Sequence, residues 1–194
     1  HSPRHYHAAP ARRTVDGRLQ GDMFDGEGFV RGVARKGRRI AGARVLVVGA
    51  GGVGSAIAAS FAAAGVAELA LYDKSAASAV ALGERLRAHY PVLAVATGAK
   101  DPAGFDIVVN ATPLGMKDGD PLPIDVARLD PATFVGEVVL KEEMTPLLRA
   151  ARDKGCAIQV GTDMLFEQIP AYLEFFGFGT TTPERLRAAA KIRY

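Results

Sequence analysis

The chain has 194 residues, 48% of them hydrophobic and 23% charged, with a formal net charge of +3 at pH 7. That length buries one substantial core, the composition is that of an ordinary globular protein, and so small and scattered a positive excess gives no nucleic-acid footprint. The longest apolar stretch, residues 53–71, is broken by Ser55, Ser60, Gly65 and Glu68, so no membrane span is predicted, and the lone Cys156 excludes an internal disulfide or a cysteine-rich zinc site. A cytoplasmic setting is the resulting expectation.

Residues 1–20 are expected to form a poorly ordered or residual segment. His1, His5 and His7 carry metal-ligating atoms, but the surrounding HSPRHYHAAPARR has no periodicity and no apolar core of a secretory signal, so a frayed terminus is expected and no metal. Asp16-Gly17 marks a tight turn between two short extended pieces. Residues 21–40 read as a hinge segment whose amphipathic helix, Phe29 to Lys36, turns Phe29, Val30 and Val33 inward. Asp25 lies just ahead of that helix, where its carboxylate serves either as a cap for free N–H groups or as a functional acid.

Residues 41–194 read as a dinucleotide-binding domain with C-terminal helices. Arg44 to Asp73 runs strand, Gly49-Ala50-Gly51-Gly52-Val53-Gly54, alanine-rich helix, strand and terminal acid. The glycines divide the work, since Gly49 turns the chain out of the strand, Gly51 leaves room for a pyrophosphate, and Gly54 lets the helix lie close to the sheet. The helix N-terminus then offers free N–H groups to phosphates. Asp73, 19 residues after Gly54, is placed to accept hydrogen bonds from both ribose hydroxyls, which favours NAD over NADP; Lys74 beside it keeps a 2′-phosphate in play. The bland alternative is a glycine turn kept for packing alone.

Beyond Asp73 the pattern alternates: a helix from Ser75 to Tyr90, strands at Val92 to Ala96, Asp106 to Asn110, Thr133 to Leu140 and Cys156 to Val160, and a helix from Thr145 to Lys154. Met164 to Phe176 reads as a helix with Leu165, Ile169, Leu173 and Phe176 on its core side, and Pro183 to Ile192 as a last helix capped by Thr181 or Thr182. Together these predict an α/β, Rossmann-type doubly wound fold: six strands, mainly parallel, in order 3-2-1-4-5-6, with helices on both faces. Ligands of such sheets lie at the carboxyl ends of the strands, which singles out Asn110 to Met116, Leu140 to Thr145 and Gly161 to Gln168.

Four separate stretches resemble the shikimate dehydrogenase family and its quinate/shikimate relatives: Gly21 to Gly28, Asn110-Ala111-Thr112-Pro113-Leu114-Gly115-Met116, Thr145-Pro146-Leu147-Leu148, and Gly161 to Gln168. The resemblance covers about residues 17 to 178. It implies reversible hydride transfer between a nicotinamide and a cyclic hydroxy acid, with Asp25 as the catalytic acid of a Lys/Asp pair and Gln168 binding substrate hydroxyls. It also implies that Gly161, Met164, Asn110 and the backbone of Thr112, Pro113 and Leu114 hold the nicotinamide. Core packing is the plain alternative for Met164. Other reductases on this fold share the glycine turn but not these later stretches.

The chain departs from the family in instructive places. No counterpart of the family's amino-terminal substrate domain, with its Ser-x-Ser motif and catalytic lysine, is found in the sequence, so the cofactor domain alone is expected and this chain by itself is expected to be inactive. Met23-Phe24 stand where the family has Asn-Thr, and Glu137, Leu140 and Glu142 where it has Asp, Tyr and Pro. Lys141 at the same strand end is expected in solvent. The rival expectation from another class is a non-catalytic NAD-binding regulatory or assembly module, self-associating through the face that the absent domain leaves uncovered.

Overall fold

The computed structural model describes residues 11–14, 16–21 and 23–192. His1, His5 and His7 lie outside the described residues, as does Asp22. Two short strands, β1 (Ala11–Arg13) and β2 (Leu19–Gly21), pair antiparallel around the Asp16-Gly17 turn, where Gly17 takes φ 82°. After α1 (Phe24–Arg35) come β3 (Arg44–Val48), α2 (Gly52–Ala63), β4 (Glu68–Tyr72), α3 (Ala76–His89), β5 (Ala94–Thr97) and β6 (Ile107–Asn110). The chain continues through β7 (Phe134–Glu137), α4 (Pro146–Asp153), β8 (Ala157–Gln159), α5 (Gly161–Phe175) and α6 (Pro183–Ala189).

Strands β3 to β8 form one parallel sheet in the order β5-β4-β3-β6-β7-β8, which is the expected 3-2-1-4-5-6. Because neighbouring strand residues point to opposite faces, β3 sends Val45 and Val47 into a core with Phe29, Ile57, Phe61 and Leu82, and Leu46 and Val48 into a second core with Leu147, Leu148 and Ala151. Both faces are thus covered by helices, and strands buried on both sides need the continuous apolar runs seen in the sequence. Three helix starts are fixed by hydroxyl caps: Ser75 accepts from Ser78 N, Thr145 from Leu148 N and Thr182 from Arg185 N.

Three helices differ from the sequence expectation. Helix α1 begins at Phe24, five residues before the predicted start, so Asp25 lies within its first turn and does not cap it; Met23 holds the cap position, and its side chain does not cap the helix. The glycines that make this stretch read as a loop are contact points. A Cβ at Gly26 would lie 2.1 Å from Ala56 O of α2, and one at Gly32 would lie 2.7 Å from Gln159 Oε1 of β8. Glycine costs helix propensity of about 1 kcal/mol per site, and close wedging of α1 against its neighbours offsets it here.

Helix α5 begins at Gly161, three residues early, and its predicted core side is wrong. Leu165, Ile169 and Leu173 are only half-buried and Phe176 is 40% exposed, while Asp163, Met164, Phe166, Glu167, Gln168 and Ala171 are buried. The apolar periodicity misleads because the inward face is partly polar and its charges are neutralised by cations from flanking helices. Lys36 Nζ at 2.9 Å and Arg187 bind Asp163, and Arg35 holds Glu167. The last helix also stops at Ala189, short of Ile192.

Candidate functional site

The carboxyl end of β3 opens into a tight turn. Gly49 takes φ 110°, and a Cβ there would lie 2.6 Å from Ala111 O, so both its conformation and its surroundings require glycine. Gly54 is buried, and a Cβ on it would lie 1.9 Å from Gly49 O. Gly51 is different: its φ of −72° suits any residue, and an added Cβ would meet nothing within 4 Å. Neither strain nor packing inside the chain therefore requires glycine at position 51. The open space lies at the start of α2, which has neither a capping side chain nor an acid in its first turn. The N–H groups of Gly52, Val53 and Gly54 consequently face outward with a partial positive charge, an arrangement suited to an anion.

Asp73 closes this end. Its Oδ2 accepts from Ala50 N at 2.7 Å and its Oδ1 from Ser75 N at 2.8 Å. The carboxylate thus ties the glycine turn to the end of β4, and each oxygen retains acceptor capacity. Lys74 is exposed beside it.

At the end of β6, Asn110 is 1% exposed and spends its side chain on its own loop: Nδ2 donates to Leu114 O at 3.0 Å, while Oδ1 accepts from Thr112 N at 3.1 Å and Thr112 Oγ1 at 2.6 Å. Thr112 Oγ1 in turn accepts from Leu114 N. Asn110 and Thr112 therefore shape the loop through their side chains, leaving the backbone around exposed Pro113 and half-buried Leu114 as the surface it presents. Asp120 fixes the far side, accepting from Gly115 N and Lys117 N at 3.0 Å each.

Beside Asn110 in the sheet stands Glu137, fully buried, with neither carboxyl oxygen hydrogen-bonded among the described residues. Burial pushes its pKa up to about 7; Thr145 and Asn110 face it and pull the value down, and the charge of Glu142 raises it. The sequence marks Glu137 as a departure from the family but carries no sign of its burial beyond the apolar run around it. Leu140 is 46% exposed, and Lys141 is solvated, reaching Asp118 only at 3.8 Å.

The third part is the wall between α1 and α5. A Cβ at Gly161 would lie 2.0 Å from Val139 O, which brings the start of α5 against the segment after β7. Met164 is 6% exposed and belongs to the core cluster. Half-buried Asp25 accepts at Oδ1 from Gln168 Nε2 at 2.7 Å. Gln168 is only 3% exposed. The hydroxyl of Tyr172 donates to Gln168 Oε1 at 3.2 Å. Sequence reasoning misses Tyr172; its one signal is the four-residue spacing from Gln168, which puts both on one side of a helix. Among the described residues no group of three or more His, Cys, Asp or Glu is placed to hold a metal, and no helix is long and apolar enough to cross a membrane.

Sheet order, the open glycine position and the uncapped α2 define the class: a Rossmann-type α/β domain with an anion-receptive turn. Its residues 30–81, which hold that turn and Asp73, match the ThiF family. Over 181 residues the chain is 38% identical to a shikimate dehydrogenase (NADP(+)) of Rhodospirillum rubrum, covering 90% of this chain and 64% of that protein. It is 37% identical to a quinate/shikimate dehydrogenase (NAD(+)) of Corynebacterium efficiens over 179 residues, 89% of this chain and 63% of that protein. Among solved structures, the shikimate 5-dehydrogenase of Listeria monocytogenes in complex with shikimate and NAD superposes with a TM-score of 0.84 at 27% identity, covering 92% of this chain and 65% of that one. Over about 90% of its length the chain is thus homologous to shikimate and quinate/shikimate dehydrogenases, and it spans 63% to 65% of the length of these relatives.

Proposed function

We propose that the chain is the cofactor-binding part of an NAD(P)-dependent oxidoreductase acting on a cyclic hydroxy acid, with NAD the preferred cofactor. The observation that carries this reading is Gly51, a glycine with ordinary backbone angles and nothing within 4 Å of its missing side chain, set against the uncapped start of α2. A pyrophosphate fits that combination because a small, open, N–H-rich turn removes steric and electrostatic obstacles together. The names of the family members above, NAD(+)- and NADP(+)-dependent alike, agree with it.

Asp73 sits where an adenosine ribose would lie, and its negative charge disfavours a 2′-phosphate; that is the basis for NAD over NADP, with Lys74 exposed nearby as the opposing influence. When bound, the nicotinamide supplies or takes up the hydride. Gly161 and the backbone of residues 112–114 would frame its ring, Met164 backing it from the core. Asp25 orients the group that exchanges the alcohol proton, and Gln168 steadies Asp25. Among the described residues Asp25 has no lysine partner, so this chain alone is expected to give negligible turnover with shikimate or quinate. A cytoplasmic setting belongs to the same reading, on the single buried cysteine. So does self-association through the half-exposed apolar face of α5, which light scattering would detect.

Calorimetric titration with NADH and NADPH tests the proposal. NADH is expected to bind at least about tenfold more tightly, a difference of about 1.4 kcal/mol, and Asp73→Asn to narrow that gap. Equal affinities in the native chain would remove the NAD preference. No binding of either cofactor at millimolar concentration would remove the proposed function itself.

A further inference from the structure

We propose that Tyr172 is a positioning residue of the α1–α5 wall: its hydroxyl holds the Gln168 amide, and through that amide it fixes the Asp25 carboxylate with one oxygen free for a ligand. The ligand side of this inference rests on the reading of Asp25 given above, whereas the positioning chain rests on hydrogen-bond chemistry alone. An ionised carboxylate only accepts, so Gln168 must turn its NH2 to Asp25, as the 2.7 Å contact to Oδ1 requires. That orientation leaves Gln168 Oε1 in need of a donor at a position only 3% exposed, where water is a poor substitute. The Tyr172 hydroxyl, 3.2 Å away, supplies it.

The phenol is itself held. Phe24 is buried and meets the Tyr172 ring edge-on, with centroids 5.0 Å apart and an interplanar angle of 82°, and Phe175 packs on Phe24 at 5.4 Å. Phe24 immediately precedes Asp25, so one turn of α1 grips both ends of the chain Tyr172, Gln168, Asp25. Room for Gln168 comes from Gly28, where a Cβ would lie 2.7 Å from Gln168 Cγ. Burial, and next the charge of Asp25, push the Tyr172 phenol up, which keeps its proton in place to donate. Among the described residues only Oδ1 of Asp25 is engaged, which leaves Oδ2 for a ligand, and an acceptor oxygen selects a hydroxyl or ammonium donor over a carbonyl or an anion.

The test uses the full 194-residue chain without cofactor, so it is independent of whether the chain binds NAD. Relaxation of the Gln168 side-chain 15Nε2 should give an order parameter near the rigid value of about 0.85 in the native chain and below about 0.6 in Tyr172→Phe, whose ring still packs on Phe24. An unchanged order parameter in Tyr172→Phe overturns the proposal. Independently, in chain labelled at tyrosine 13Cζ, Asp25→Asn should lower the titration midpoint of Tyr172, and an unmoved midpoint overturns the link to Asp25 even if Tyr172→Phe fails to fold. If both effects appear while NADH does not bind, the positioning chain stands and the oxidoreductase reading falls.

Discussion

Two ends of the molecule hold their polar atoms in different ways. At the β3–α2 turn the functional groups are backbone N–H groups, and the side chains that matter are largely absent ones, at Gly49, Gly51 and Gly54, with Asp73 pinning Ala50 N to the neighbouring strand. At the α1–α5 wall the groups proposed to act are side chains, Asp25, Gln168 and Tyr172, and the Gln168–Asp25 hydrogen bond joins residues 143 positions apart. A backbone site is preorganised by local covalent geometry. A side-chain site lasts only as long as the helices that carry it stay docked, here through the α1 glycines and the ion pairs of Arg35 and Lys36. The turn should therefore tolerate damage to the wall, and the wall should depend on packing that the turn does not need.

The largest expected effect divides the turn itself. Gly54→Ala and Gly51→Ala add the same methyl group three residues apart with opposite structural consequences. At position 54 the Cβ would lie 1.9 Å from backbone oxygen, so the fold should lose roughly 1–3 kcal/mol from overpacking even though alanine favours a helix by about 1 kcal/mol. At position 51 nothing is touched, so thermal stability should stay within about 0.5 kcal/mol of the native chain. NADH affinity should fall at least about tenfold in Gly51→Ala, because the methyl group occupies the space assigned to phosphate. Native affinity in a stable Gly51→Ala variant would show that the open space is not the phosphate seat.

The same contrast explains what is legible in the sequence. The turn can be read because three glycines, an apolar strand and an acid lie within residues 44–73, and each constraint is local. Sheet order follows from alternation of strands and helices in the same way. Helix α1 reads five residues short because Gly26 and Gly28 look like loop residues until α2 and Gln168 lie against them. Helix α5 reads with the wrong face inward because Asp163 and Glu167 look solvent-facing until Lys36, Arg187 and Arg35 arrive from elsewhere in the chain. Tyr172 gives little sign of its role, since an aromatic residue on an amphipathic helix is ordinary core until its hydroxyl has a named acceptor.

Glu137 lies between the two ends, buried beside Asn110, and gives the next largest effect. Its pKa in the fold is about 7 against an ordinary 4.5, so between these values the folded chain binds more protons than the unfolded one and stability falls as pH rises. The penalty accumulates from about pH 4.5, is nearly complete just above pH 7, and at about 1.4 kcal/mol per pKa unit is on the order of 3 kcal/mol. Glu137→Gln, neutral at every pH, should match the native chain near pH 4.5 and exceed its stability at pH 8 by roughly 3 kcal/mol in urea unfolding. Parallel stability curves for the two proteins from pH 4.5 to 8 would mean that Glu137 is charged in the fold and has a partner.

The smallest effect tests whether the two ends are independent. Glu167 is 3% exposed and Arg35, its partner, is half-exposed, reaching out to Glu184 on the other side. Arg35→Met leaves the buried carboxylate without its cation. Losing one partner of a fully buried pair costs about 3–5 kcal/mol, and solvent around this guanidinium reduces the expected loss to roughly 1–2 kcal/mol. Glu184→Gln, at the solvent-facing end of the same guanidinium, should leave stability unchanged. If the turn is preorganised by its own glycines, NADH affinity in Arg35→Met should stay within about twofold of native, since about 1.4 kcal/mol would be needed for tenfold. A fall in affinity that keeps pace with the fall in stability would mean that α1 docking supports the turn through the Gly26 contact on α2, and that the two ends work as one element.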